Sequence, residues 1–159
     1  MKRFVLTITL ALGLAVPAFA QNSAWNYSEK KDISGKVTEL AMSDQTEGVG
    51  TEDSLIIRCK TTCEVYIHIG RSIAQDQSSI RVKFGDKAPV RFGVSRGEGS
   101  DSLFFTSPMS IIKAIRDNGG YMTVEYAPYQ RTPVVVKFGV WNLPPPILER
   151  LTKVEAHRR

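Results

Sequence analysis

Histidine is nearly absent from this chain. His68 and His157 are the only two, and His157 stands in the C-terminal tail. One usable imidazole does not assemble a Ser-His-Asp set. His68 lies in an alternating segment and reads as a rim residue on a strand rather than a general base. Cysteine is equally scarce, with Cys59 and Cys63 alone. Three residues intervene between them, which excludes the CxxC redox motif, and no zinc-finger spacing of further ligands accompanies them. No metal and no cofactor is expected. The carboxylates of Asp44, Glu47, Glu52, Asp53, Asp76, Asp86, Glu98 and Asp101 are scattered through loop-like sequence. Nothing marks a pair of them for glycosidase chemistry, and they read as solvated charges. These shortages argue against an enzyme.

Long apolar runs are also missing, with one exception at the start. Lys2 and Arg3 precede an apolar run from Phe4 to Val16, followed by Ala18-Phe19-Ala20. A positive end, a short apolar stretch and a small-x-small site form a secretory signal peptide over residues 1–20, cut before Gln21. A single domain over residues 21–159 follows, with residues 156–159 as a frayed basic tail. No later stretch is long and apolar enough to anchor it in a membrane. Removing Lys2 and Arg3 takes two charges from the formal +5 and leaves +3. So small an excess does not argue for nucleic acid, export argues against it, and no nucleic-acid partner is expected. A periplasmic or secreted location is oxidising, and there Cys59 and Cys63 are expected to form a disulfide across a tight hairpin loop, Lys60-Thr61-Thr62.

What the sequence does have is period-two alternation. Strands are expected at Val37–Met42, Leu55–Cys59 and Glu64–Ile69, with Ser43–Asp53 as an acidic, glycine-bearing loop. Ile80, Val82 and Phe84 alternate with Arg81 and Lys83. Val90, Phe92 and Val94 alternate with Arg91, Gly93 and Ser95, after the turn Gly85-Asp86-Lys87. Further strands fall at Leu103–Thr106, Met122–Tyr126 and Val134–Val140. Between the first two of these, Ser107-Pro108 opens and Asn118-Gly119-Gly120 closes a short helix carrying Ile111, Ile112 and Ile115 on one face. Pro144-Pro145-Pro146 ends sheet pairing, and Ile147, Leu148, Leu151 and Val154 mark a C-terminal amphipathic helix. The fold class is therefore mainly β: an antiparallel sandwich or strongly curved sheet with one internal helix and one C-terminal helix.

If the two middle strands pair, Arg81, Lys83 and Arg91 gather on one outer face, and Arg71 and Arg96 extend it. That is a candidate binding face for an envelope protein or an anionic envelope component. The competing reading is the ordinary polar exterior of a sheet. Trp25, Tyr27 and Trp141 are read as closing the edge of the core, with a binding hot spot as the sharper alternative.

The landmarks occur in a definite order. Trp25-x-Tyr27-Ser28 and Lys31-Asp32-x-Ser34-Gly35-Lys36 come first. Leu55-x-x-Arg58-Cys59, Glu64-Val65-Tyr66-Ile67 and Arg81-x-Lys83-Phe84-Gly85-Asp86 follow. Ser107 to Ile115, Tyr126-x-Pro128-Tyr129 and Phe138-x-Val140-x-x-Leu143 complete the series. The series resembles the VasI-like proteins, small exported proteins associated with type VI secretion. The resemblance implies a non-enzymatic accessory role in the bacterial envelope and supplies no catalytic residue. It also implies a cysteine near the C-terminus pairing with the one after Leu-x-x-Arg. This chain has none after Cys63. An inhibitor or immunity-type protein, plugging an envelope-targeting enzyme with the Lys60-Thr61-Thr62 loop, is the alternative expectation.

Overall fold

The computed structural model describes residues 23–48 and 52–157, so the expected signal peptide and the last two residues lie outside the described residues. The elements in chain order are β1 (Asn26–Lys31), β2 (Val37–Glu47), β3 (Ser54–Cys59), β4 (Cys63–His68), β5 (Ser79–Phe84), β6 (Val90–Arg96), β7 (Ser102–Phe105), α1 (Pro108–Asn118), β8 (Tyr121–Tyr126), β9 (Val134–Gly139) and α2 (Pro145–Ala156). The chain is mainly β.

All pairings are antiparallel, in the order β1-β2-β3-β4-β7-β6-β5-β8-β9, and β9 returns to β2. Strands β2 to β9 thus form a closed eight-stranded barrel, and β1 is appended to β2. This corrects the expected sandwich, while the mainly β class stands: the sheet curves until it closes on itself. Two strands turn the corners. β2 pairs with β3 through Glu39–Asp44 and with β9 only at Gln45 and Glu47, across a register irregularity. β6 pairs with β5 through Val90–Gly93 and with β7 through Val94–Arg96. A bulge raises local twist, which lets one strand serve two sheets.

Alternation fills the interior. Leu55, Ile57, Val65, Ile67, Val82, Leu103, Val124, Val136 and Phe138 are fully buried. The hairpin β5–β6 forms as its sequence suggests, but Val90 at its mouth is exposed rather than core. The segment Ser43–Asp53, expected as a loop, is strand up to Glu47, and β1 is an additional strand.

Strands β7 and β8 are not neighbours, and α1 connects them across one end of the barrel. It packs against β4, with Ile111, Ile112 and Ile115 completely buried. Full burial of each isoleucine stabilises by about 1.5–3 kcal/mol. Ser107 is the N-cap residue, though through its backbone carbonyl, which accepts from the Ile111 amide, and not through its hydroxyl. Gly119 and Gly120 have φ of 56° and 63°, a conformation that side chains other than glycine's resist, so the helix stops there. α2 begins inside the proline run, where missing amide protons cost nothing. It buries Ile147 and Leu151, and it is tied to α1 by Arg116–Glu155 and to β2 by Arg150–Glu39. Ala156 is its last residue, and the His157 amide donates to Lys153 O. Among the described residues no helix is long and apolar enough to cross a membrane.

Candidate functional site

The barrel interior is filled by buried apolar side chains. Two outer faces stand out, one expected from the sequence and one not.

The expected face is on β5, β6, β8 and β9. Arg81 stands directly opposite Arg91 on β6 and opposite Glu125 on β8, and Lys83 lies one outward step along β5. The three cations are therefore together. The Arg81 guanidinium, however, grips Glu125 with both carboxylate oxygens, Nη2 donating to Oε2 at 2.6 Å. That contact raises the Arg81 pKa further and occupies its charge. Arg91 donates to Ser79 Oγ at 3.3 Å. Lys137 sits 4.3 Å from the Tyr121 ring centre and pairs with Glu47 at 3.0 Å. Lys83, Lys137, Tyr121, Thr123, Glu47 and Asp86 line a shallow open depression. The face is mixed in sign, not a continuous positive surface. Arg96 does not extend it: counted along β6 it has the parity of Val94, and it reaches Ile73 O instead. The Tyr121 and Trp141 rings meet edge to face at 5.4 Å beside this depression, while Trp25 is buried at the core edge. Tyr27 is half-buried and donates to Glu29 at 2.6 Å. Burial, then Glu29, pushes its phenol pKa up.

The unexpected face is on the opposite wall. Met42, Ile56, Tyr66 and Phe104 occupy one register row across β2, β3, β4 and β7. All four point outward and are only partly covered. Tyr66 and Phe104 stack at 4.7 Å, and the Arg58 guanidinium carbon lies 5.5 Å from the Tyr66 ring centre. Arg58 also donates to Glu64 through Nε at 2.9 Å, which raises its pKa. Arg58 and Glu64 form one polar border of the row; Asp44, Ser54, His68 and Ser102 form the other. A signal for this row exists in the sequence. Leu55-Ile56-Ile57 and Leu103-Phe104-Phe105 are uninterrupted apolar triplets in strands, so the middle residue must face away from the side that its neighbours bury.

His68 Nδ1 lies 3.5 Å from Ser102 Oγ and 4.0 Å from Asp101 Oδ2, while Ser102 Oγ donates to Asp101 at 3.0 Å. Serine and carboxylate thus address the same ring nitrogen, whereas relay of a proton needs them on opposite nitrogens. Among the described residues no group of three or more His, Cys, Asp or Glu has the arrangement of a metal site. Cys59 and Cys63 face each other at the ends of β3 and β4, with Cα atoms 4.0 Å apart and sulfurs at bonding distance. One carboxylate departs from the expectation of solvated loop charges. Asp53 is fully buried; Tyr126 donates to its Oδ2 at 2.6 Å and the Gly70 amide faces its Oδ1 at 3.4 Å. The Gln45 amide donates to the Asp53 carbonyl at 3.0 Å, which ties the residue before β3 to the end of β2.

Comparison of the chain with protein-family models, with characterised proteins and with solved structures returned no match. Its own geometry defines a small closed antiparallel barrel with a helix across one end.

Proposed function

We propose that the protein is a non-enzymatic, exported binding protein of the cell envelope that grips a protein partner through the outer row Met42–Ile56–Tyr66–Phe104. The observation that carries this reading is the stacked Tyr66–Phe104 pair, with Arg58 over the Tyr66 ring, at the β4–β7 end of that row. An apolar centre rich in aromatic residues with a polar rim is the anatomy of protein interfaces. The outer wall of a barrel facing only water is expected to be polar. The resemblance to VasI-like proteins makes a type VI secretion component the first partner to try.

The test is retention on immobilised, detergent-extracted envelope protein, which presents no bilayer. The Tyr66→Ala/Phe104→Ala double variant should lose retention by at least tenfold, since interface anchors each contribute on the order of 2 kcal/mol. The charge-swapped triple variant Arg81→Glu/Lys83→Glu/Arg91→Glu should keep it. The reverse pattern would move the site to the basic face and sink the aromatic row.

An inhibitor or immunity-type role is the second reading, favoured by the form of the β3–β4 turn. Lys60, Thr61 and Thr62 are exposed, held by the Lys60 amide to Thr62 O at 3.0 Å and by the adjoining cysteine pair. Co-purification with an envelope-lytic enzyme, lost on Thr61→Arg, would support it over the first reading.

A further inference from the structure

The β1–β2 hairpin projects beyond the barrel at the end that carries the helices, and its turn has a composition unlike either outer face. Ile33 is wholly exposed, with relative accessibility of 107 %. Nothing in a water-facing turn calls for a branched apolar side chain at its apex. The turn is also rigid. The Asp32 carboxylate accepts from the Ser34 amide at 2.9 Å, the Ser34 hydroxyl at 2.6 Å and the Lys36 amide at 2.9 Å. The Asp32 amide donates to Lys36 O and the Gly35 amide to Asp32 O, both at 3.0 Å, and Gly35 takes a φ of 82°. The apex is held out on a structured turn.

Lysines ring this apex. Lys30 and Lys31 precede the turn on opposite faces of β1, Lys36 closes it, and all three are exposed. Lys60 adds a fourth from the neighbouring β3–β4 turn, close enough to act on Asp32. The four lysines outnumber the nearby exposed carboxylates, Asp32 and Glu29, two to one. Asp32 holds the turn's own donors, Glu29 accepts from Tyr27, and Glu39 is gripped by Arg150. The tip therefore offers one apolar point inside a ring of long, mobile ammonium groups.

We infer that this tip docks on an anionic lipid bilayer, with Ile33 entering the headgroup boundary and Lys30, Lys31, Lys36 and Lys60 meeting lipid phosphates. The composition separates a bilayer from a protein surface. Protein interface cores are depleted in lysine and anchored by aromatic residues or arginine, and the tip has neither anchor. Lysines around a shallow apolar insertion suit a fluid surface, where flexible stems reach phosphates without a fixed geometry. The tip lies at one end of the barrel and the Tyr66–Phe104 row on its wall, so lipid and partner contact are independent.

The experiment is co-sedimentation of the mature chain with phosphatidylcholine vesicles, with and without phosphatidylglycerol. Binding should require phosphatidylglycerol and fall with salt. Ile33→Ser should weaken it roughly tenfold at unchanged salt dependence. Lys30→Glu/Lys31→Glu should weaken it by more than about 25-fold, at roughly fivefold per lysine removed. These sites are exposed, so far-UV circular dichroism and melting should be unchanged. Absence of binding, equal binding to phosphatidylcholine alone, or an Ile33→Ser variant that binds like the parent would each overturn the inference. So would an equal loss from Arg81→Glu/Lys83→Glu, which would reduce the effect to net charge. None of these outcomes bears on retention through Tyr66 and Phe104, which the Tyr66→Ala/Phe104→Ala variant reads separately.

Discussion

Asp53 is a buried carboxylate served by donors from distant parts of the chain. A carboxylate with no exposure is tolerated only when donors replace water, and the Tyr126 hydroxyl at 2.6 Å is the nearest. Tyr126→Phe removes that donor while keeping the ring, and should cost about 1.5–3 kcal/mol in denaturant unfolding. Replacing Asp53 by Asn in the same background should recover part of the loss, because an amide is less costly to leave underbonded. The cysteine pair belongs to the same scale. It closes a very short loop, so Cys59→Ala/Cys63→Ala should lose on the order of 2 kcal/mol of chain-entropy stabilisation. The hairpin should still form, because β3 and β4 keep their whole register.

At the scale of elements, α1 and α2 are clasped through exposed charge. Asp117 is held below the usual carboxylate range chiefly by a hydrogen bond from Lys113, and Glu155 chiefly by one from Arg116. Folded values below the unfolded ones mean that the clasp stabilises fully above the unfolded carboxylate pKa values, 3.8 and 4.5. Its contribution is lost as pH falls through the lower folded values. Amides of α2 should therefore lose hydrogen-exchange protection on acidification below about pH 4, and Arg116→Ala should flatten that dependence. Which elements the sequence reveals follows from the same physics. α1 was readable because Ser107-Pro108, three isoleucines on one face and Gly119-Gly120 agree. β1 was not, since an edge strand with solvent on nearly every side chain shows no alternation: Asn26, Ser28, Glu29, Lys30 and Lys31 are all exposed. The Tyr66–Phe104 row was half readable. Tyr66 has an outward parity in sequence, but that Ile56 and Phe104 stand beside it depends on β4 pairing with both β3 and β7.

At the scale of the molecule, the barrel depends on a seam of few pairs. Beyond Gln45–Phe138 and Glu47–Lys137, the seam has the Ser43 hydroxyl donating to Gly139 O at 2.7 Å in a buried setting. Ser43→Ala should cost about 1 kcal/mol, and the lost protection should concentrate in the β9 amides facing β2. No local pattern announces this closure. The residues that meet are 90 or more positions apart, and alternation tells a residue its side without naming its neighbour.

That seam also sets a timetable. β2 has one edge waiting for a strand near the end of the chain, so the barrel is unsealed until β9 pairs. Late, distant pairing is slow to find and leaves a sticky border in the meantime. The polar β1 covers the first half of that border, Val37–Met42, in the finished fold, so the stretch left open until the last strand arrives is the short one from Gln45 to Glu47.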